Sequence, residues 1–344
     1  MKTLASWIRT HQIATFFILT FVMSWGLWFA PGAASQQGNI LLAPLAFVYA
    51  CSPALAGIII SAVSNTEARQ GARKPFWIAF LVAWVLALLV ELGHTVLFSD
   101  SLLSPVLIGF FAVGALPVAF VISSAYSRIP AVRSYLSTLI RLRGVWGWAF
   151  LAMVFIPALI LLSVPVSNLL NGRPLGEYPF PELSLSLLGL IAVKFIYQLF
   201  FFNATGEEVG WRGFALPRLQ ARSSPLVAAL IIALFWVPWH FFFWQAEGKP
   251  VMALQFWADM FLGHILFSIF IVWICNRAKG NILVAGIAHA ATNTTFAFLG
   301  LQTSLPWVIA ALMMILVDRM WKKLATDHPV VYRSLPDRHS APYS

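Results

Sequence analysis

SLSLLGLIAVKFIYQLFFFNATGEEVGWRG, Ser184 to Gly213, decides the fold of this chain. Up to Thr205 it carries a single charge, Lys194; then Glu207, Glu208 and Arg212 follow within a few residues. An apolar run of about 20 residues is what a helix needs to cross a hydrocarbon core about 30 Å thick. Runs of the same kind recur at 12–30, 40–62, 76–98, 103–125, 147–169, 184–205, 225–245, 252–275, 282–300 and 304–321. With 60% hydrophobic and 10% charged residues, 15 tryptophans and a mean hydropathy of +0.83, too little polar surface is left to cover a soluble globule. The expected fold is all-α, a polytopic transmembrane helix bundle of about 10 spans, within a range of roughly 8 to 10.

The net charge of +10 raises the question of a nucleic-acid partner. Placement answers it. In a ten-span arrangement 19 of the 22 basic residues fall on one side, against Arg173 and Lys249 on the other and Lys194 inside a span. That asymmetry follows the positive-inside rule, so both termini are expected to be cytoplasmic in a cell-membrane protein, with the lipid bilayer as partner and no nucleic acid.

Lys2 and Arg9 ahead of an apolar run resemble a signal peptide, but the run is long and another span follows, so it reads as an uncleaved first helix. Cleavage near Ala33 or Ala34 is the weaker alternative. The segment from Tyr126 to Trp146 carries apolar and basic residues at helical spacing and predicts a cytoplasmic interfacial helix. The polar, proline-containing tail after Trp321 is expected to be mobile. Cys51 and Cys275 each lie in an apolar window and read as packing residues, with no disulfide framework or zinc-thiolate cluster.

Ionisable residues inside spans carry the information, because each costs about 2.5–3.5 kcal/mol to insert and must face a partner or a watery cavity. Glu208 and Arg212 stand at i, i+4 and can pair on one helix face, which turns Glu207 elsewhere and leaves it available. An ordinary helix-end charge cluster is the bland reading. In WVPWHFFFW, Trp236 to Trp244, His240 follows Pro238 by two residues, where the missing backbone donor should kink or open the helix. A packing histidine is the alternative there. In GIAHAATNTT, Gly286 to Thr295, His289 and Asn293 share a face at i, i+4 among small residues that let another backbone approach. Helix-to-helix hydrogen bonding is the alternative there. Elsewhere Glu91 and His94 read as a buried hydrogen-bonded pair, with a proton relay as the alternative, and Lys194 as snorkelling or pairing with Glu91 or Asp259. Asp318 is expected to pair with Arg319, and Asp259 and His264 are outer groups of a site at most.

The order E-E-x-x-x-R, aromatic-x-x-x-H and H-x-x-x-N on successive membrane segments resembles the CPBP family, also called Abi. That family comprises CAAX prenyl proteases of the Ras-converting type and bacteriocin-processing or self-immunity proteins, lysostaphin resistance protein A among them. The matching residues are Glu207, Glu208 and Arg212, then Trp236 and His240, then His289 and Asn293. Trp236 stands where the family usually has Phe. The resemblance covers about residues 185–305 and none of the first five spans.

The resemblance implies an intramembrane endopeptidase of the glutamate type, acting on a peptide or membrane-associated protein, with Glu207 as the base. The chemistry of the residues agrees. Hydrolysis needs an activated water and a stabilised oxyanion. Glu207 with His289 or His240 can hold and deprotonate water, Asn293 and one imidazole can donate to the oxyanion, and Glu208 paired with Arg212 can hold the helix end. No cofactor is required on this reading. The alternative is a zinc protease using the same two histidines and a glutamate, although no H-E-x-x-H helix is present. A non-catalytic immunity protein and a transporter are the rival classes. The expected organisation is residues 1–183 as motif-free spans, 184–305 as the catalytic core, and 306–344 as the last span and tail.

Depth is the difficulty. If a helix starts at Pro225 on the basic side, His240 lies about 22 Å in at 1.5 Å per residue, far from a Glu207 at the span end. A re-entrant segment from Arg212 to Ser224 is the expected remedy.

Overall fold

The computed structural model describes residues 3–36, 45–99, 103–176 and 182–332. No strand occurs among them. The N-terminal part contains α1 (Leu4–Thr10), α2 (Gln12–Gln36), α3 (Leu45–Ser64), α4 (Lys74–Phe98), α5 (Pro105–Ser124), α6 (Pro130–Leu136) and α7 (Trp146–Leu170). Then come α8 (Leu185–Gln198), a π-helical segment (Leu199–Ala215), α9 (Leu216–Gln220), α10 (Pro225–Trp239), α11 (Phe241–Ala246), α12 (Leu254–Arg277), α13 (Ile282–Phe298) and α14 (Leu305–Val317).

Each apolar window coincides with a helix, apart from residues 40–44 of the second, which lie outside the described residues. Among the described residues six helical runs are long and apolar enough to cross a membrane, and four apolar helical stretches are shorter: Gln12–Gly26, Val48–Ser64, Ile282–Phe298 and Leu305–Val317. The chain is a multi-pass membrane protein built as a helix bundle.

The helices that build the core begin at side-chain caps. Ser184 Oγ accepts from Leu187 N–H at 3.1 Å, Ser224 Oγ from Val227 N–H at 3.3 Å ahead of Pro225, and Asn281 Oδ1 from Val284 N–H at 3.0 Å. A capping oxygen satisfies one of the donors that a helix start leaves open, and proline in the first turn sacrifices none. These caps fix where α8, α10 and α13 enter the bundle. The π-helical segment lies at its centre, packed by α3 on one side and α13 on the other.

No re-entrant fold separates Arg212 from Ser224. Leu185–Gln220 is one helical run of 36 residues, and only the short turn before Pro225 reverses the chain. Polar residues stay helical inside the bundle because their side chains meet partners there, so the depth conflict vanishes: Glu207 sits within the run, level with the end of α10. Winding to i→i+5 hydrogen bonds over 17 residues is long for a π-helix, a form that usually occurs as single turns and often at functional sites. Two glycines make the fit possible. A Cβ at Gly206 would run into the backbone of Ala50, and one at Gly210 into Pro53. Both neighbours belong to α3.

The segment between α5 and α7 differs from a surface-lying helix. α6 and the 3-10 turn Ser137–Ile140 bury Val132, Leu136 and Leu139 against Ala54, Ile58 and Val209. Tyr135 reaches inward, and its hydroxyl donates to the Val209 carbonyl at 2.5 Å, giving a carbonyl of the π-helical segment a partner from outside the helix. Burial pushes the Tyr135 phenol above its usual range.

Other polar pairings also differ. Asp318 is held by Arg277 across two helices rather than by its neighbour Arg319. Lys194 Nζ lies 3.2 Å from His94 Nε2, with the imidazole stacked on Tyr197, instead of meeting Glu91 or Asp259. Glu91 Oε2 is buried without a hydrogen-bond partner among the described residues, so the expected Glu91–His94 bond does not form, and Asp259 accepts from Gln255 on the exposed face of α12. Cys51 and Cys275 are buried free thiols, as packing residues should be.

Candidate active site

The seven residues singled out by the motifs come from the π-helical segment, the end of α10 and the middle of α13. Arg212 Nη1 donates to Glu208 Oε1 at 2.9 Å, the i, i+4 pair the spacing predicts, and both side chains are fully buried. His289 comes to the same oxygen: its Nδ1 lies 2.8 Å from Glu208 Oε1. Of the two histidines the sequence offers to Glu207, the structure sets His240 beside it and gives His289 to Glu208. Arg212 is held further by Ser268 Oγ at 3.5 Å, and its guanidinium lies 4.5 Å over the Trp236 ring.

Glu207 points away from this pair. Its Oε2 accepts the Trp236 indole N–H at 2.6 Å and lies 3.8 Å from His240 Nε2. The end of α10 explains why His240 can reach it. Pro238 tightens the chain, the His240 N–H turns to the Val237 carbonyl, and the freed Trp236 carbonyl meets His240 Nδ1 at 2.9 Å. A carbonyl only accepts, so Nδ1 carries the proton in that contact and a neutral imidazole leaves Nε2 as a lone pair facing Glu207.

Asn293 Nδ2 lies 3.5 Å from Asn203 Oδ1. Asn203 is a site residue that sequence reasoning missed, though its place four residues before Glu207 in an apolar run was a signal. Ser268 gave none, being a serine in an apolar helix like several others. Trp236 stands where the resemblance has Phe, and its N–H donor role is a feature that the sequence comparison does not carry. It is the hub of the site, with His264 and His289 edge-on at 5.1 and 5.2 Å and Phe267 stacked at 5.7 Å. His264 is therefore an outer group, whereas Asp259 is not.

Accessibility is graded. Glu208 and Arg212 are sealed, Glu207 is 5% exposed, and His240, His264 and Asn293 are half-buried, so the site opens along their side. Glu208 Oε2, Arg212 Nε and Asn203 Nδ2 are buried without hydrogen-bond partners among the described residues. Such polar atoms concentrate where function sets the arrangement. No three His, Cys, Asp or Glu side chains are grouped to hold a metal ion among the described residues. Glu207 faces His240 while His289 is engaged by Glu208.

Residues 184–295 match the family model of the Rce1-like type II CAAX prenyl endopeptidases. CAAX prenyl protease 2 of the archaeon Methanococcus maripaludis is 27% identical over 180 residues, a stretch covering 49% of this chain and 65% of that protein. The matched segment spans the π-helical segment, α10 and all but the end of α13, so it contains every residue of the three motifs. The likeness of residues 184–295 to the Rce1-like type II CAAX prenyl endopeptidases supports the CPBP resemblance carried by the three motifs.

Proposed function

We propose that this chain is an intramembrane endopeptidase of the CAAX-protease type, in which Glu207 activates the hydrolytic water. The observation that carries the reading is the facing of Glu207 Oε2 and His240 Nε2 at 3.8 Å, a spacing that one bridging water can span. Water there donates one proton toward each acceptor and turns a lone pair toward the substrate. Glu207 takes one proton as oxygen adds to the scissile carbonyl. Glu207 then returns that proton to the departing amine as the C–N bond breaks.

The oxyanion needs donors on the opposite side. Asn293 supplies an amide N–H. His289, whose Nδ1 lies 2.8 Å from Glu208, supplies a second N–H to the oxyanion when its Nε2 carries a proton. Glu208 and Arg212 thus orient and balance His289 without touching substrate. The substrate is a peptide or membrane-associated protein that presents its bond from the bilayer along the half-buried side of the site, in a cell membrane with both chain ends cytoplasmic. The name of the archaeal relative points to a prenylated CAAX segment.

Cleavage of a reporter peptide by the reconstituted protein tests the reading. Glu207→Gln should abolish product with the fold retained, and activity of the unaltered protein should persist after exhaustive chelation and metal analysis. A non-catalytic immunity protein would tolerate the substitution. A zinc enzyme would lose activity on chelation and regain it with zinc.

A further inference from the structure

Two helical turns meet in the site. Asn203 and Glu208 lie one turn of i→i+5 winding apart in the π-helical segment, and His289 and Asn293 lie one α-helical turn apart in α13. Their side chains pair off between the two helices. Glu208 Oε1 meets His289 Nδ1 at 2.8 Å, and Asn203 Oδ1 accepts from Asn293 Nδ2 at 3.5 Å. Next to Asn203 the helices approach closely, for a Cβ at Gly286 of α13 would run into Ala204. Asn293 is half-buried on the open side of the site, whereas Asn203 is fully buried.

Packing does not account for an asparagine at this position. Its neighbours along the segment, Phe200, Phe201, Phe202 and Ala204, are apolar. Its own Nδ2 is buried without a hydrogen-bond partner among the described residues. An unpaired buried donor costs at least as much as one neutral hydrogen bond returns, so the Asn293 contact does not offset the burial of this amide. What the residue supplies is its acceptor, in one place and facing one partner.

That partner has two edges. A side-chain amide turns about a broad terminal torsion and can present either its carbonyl or its NH2 group. A carbonyl edge would repel a forming oxyanion, whereas an N–H already aimed at it stabilises the charge without reorganisation. We propose that Asn203 is a positioning residue for Asn293: its Oδ1 holds one hydrogen of the Asn293 amide and so aims the other at the carbonyl oxygen under attack. Asn203 then does for Asn293 what Glu208 does for His289, and neither touches substrate. This role rests on the endopeptidase reading, in which Asn293 is an oxyanion donor.

The full chain, reconstituted in nanodiscs, is assayed for cleavage of the reporter peptide as the parent, Glu207→Gln, Asn203→Leu, Asn293→Leu and the Asn203→Leu, Asn293→Leu double variant. Asn203→Leu should lower kcat about 10- to 100-fold with KM unchanged, less than the fall of about 100- to 1,000-fold expected on removing the Asn293 donor itself. The double variant should be no slower than Asn293→Leu alone, because a residue that acts through another adds nothing once that other is gone. An asparagine with only a structural role would multiply the two losses instead. Should Asn203→Leu fail to fold, Asn203→Ala, which adds no bulk, must give the same fall in kcat and the same lack of additivity. An unaltered kcat in the Asn203 variants, a rise in KM in place of the fall in kcat, or multiplied losses in the double variant would each overturn the role while Glu207→Gln stays inactive. Cleavage by Glu207→Gln at the parent rate would overturn the endopeptidase reading itself, and this role with it.

Discussion

The two sides of the π-helical segment treat neighbouring carboxylates in opposite ways. Glu208 is sealed, with Arg212 and His289 both on its Oε1. Glu207 has one hydrogen bond, from Trp236 at 2.6 Å, and a histidine nitrogen at 3.8 Å. A buried charge with two tight partners is fixed, and removing it strands the partners. A buried carboxylate with a single tight partner is less firmly fixed, as the proposed base requires. The contrast teaches that within one dipeptide structure and chemistry can be divided by which way each side chain faces.

Five measurements break or sharpen that contrast. Glu207→Gln, nearly isosteric, should reduce cleavage about 10³-fold or more while leaving thermal unfolding in detergent close to that of the parent, since it removes only the base. If instead it unfolds the protein, Glu207 belongs with Glu208. Glu208→Ala should behave in the reverse manner, costing about 3–5 kcal/mol of stability by leaving Arg212 buried and unpaired, with loss of folded protein on extraction. Trp236→Phe keeps the ring contacts and deletes one N–H donated to a carboxylate. A fall of about tenfold in kcat with KM unchanged is expected, at the lower end of what a hydrogen bond to a charged group contributes. An unaltered kcat would mean that Glu207 needs no such anchor. Tyr135→Phe leaves the Val209 carbonyl without its outside partner and should cost about 1 kcal/mol, read as a lowered unfolding temperature with kcat intact. Smallest of all, Lys194→Gln in the second intramembrane polar cluster should leave cleavage unaltered and move stability by about 0.5 kcal/mol at most. A marked loss of cleavage there would extend the site to α4 and α8.

Much of this was legible in the sequence, and the omissions have physical causes. Apolar length located the helices, because a bilayer demands about 20 residues per span whatever their order. The i, i+4 spacing paired Glu208 with Arg212 correctly, since that contact is local. His289 on Glu208, Lys194 on His94 and Arg277 on Asp318 were not legible. Each pairing joins different helices, and its choice depends on rotations that linear spacing does not encode. Nor does periodicity announce a π-helix. Glu207 seemed to stand at a span end because charged residues usually mark one, whereas here the helix widens and takes them inside.

The close approach of α3 to the π-helical segment bears on how the site comes into being during synthesis. Ala50 and Pro53 occupy the space that side chains at 206 and 210 would need. Tyr49, beside them on α3, donates its hydroxyl to the Trp239 carbonyl at 2.7 Å, next to His240. A helix without any catalytic motif, translated long before the motifs emerge, is thus the template against which they assemble. Expressed from Ser184 onward, the motif-bearing half would carry every residue of the proposed chemistry and lack the surface that sets their alignment.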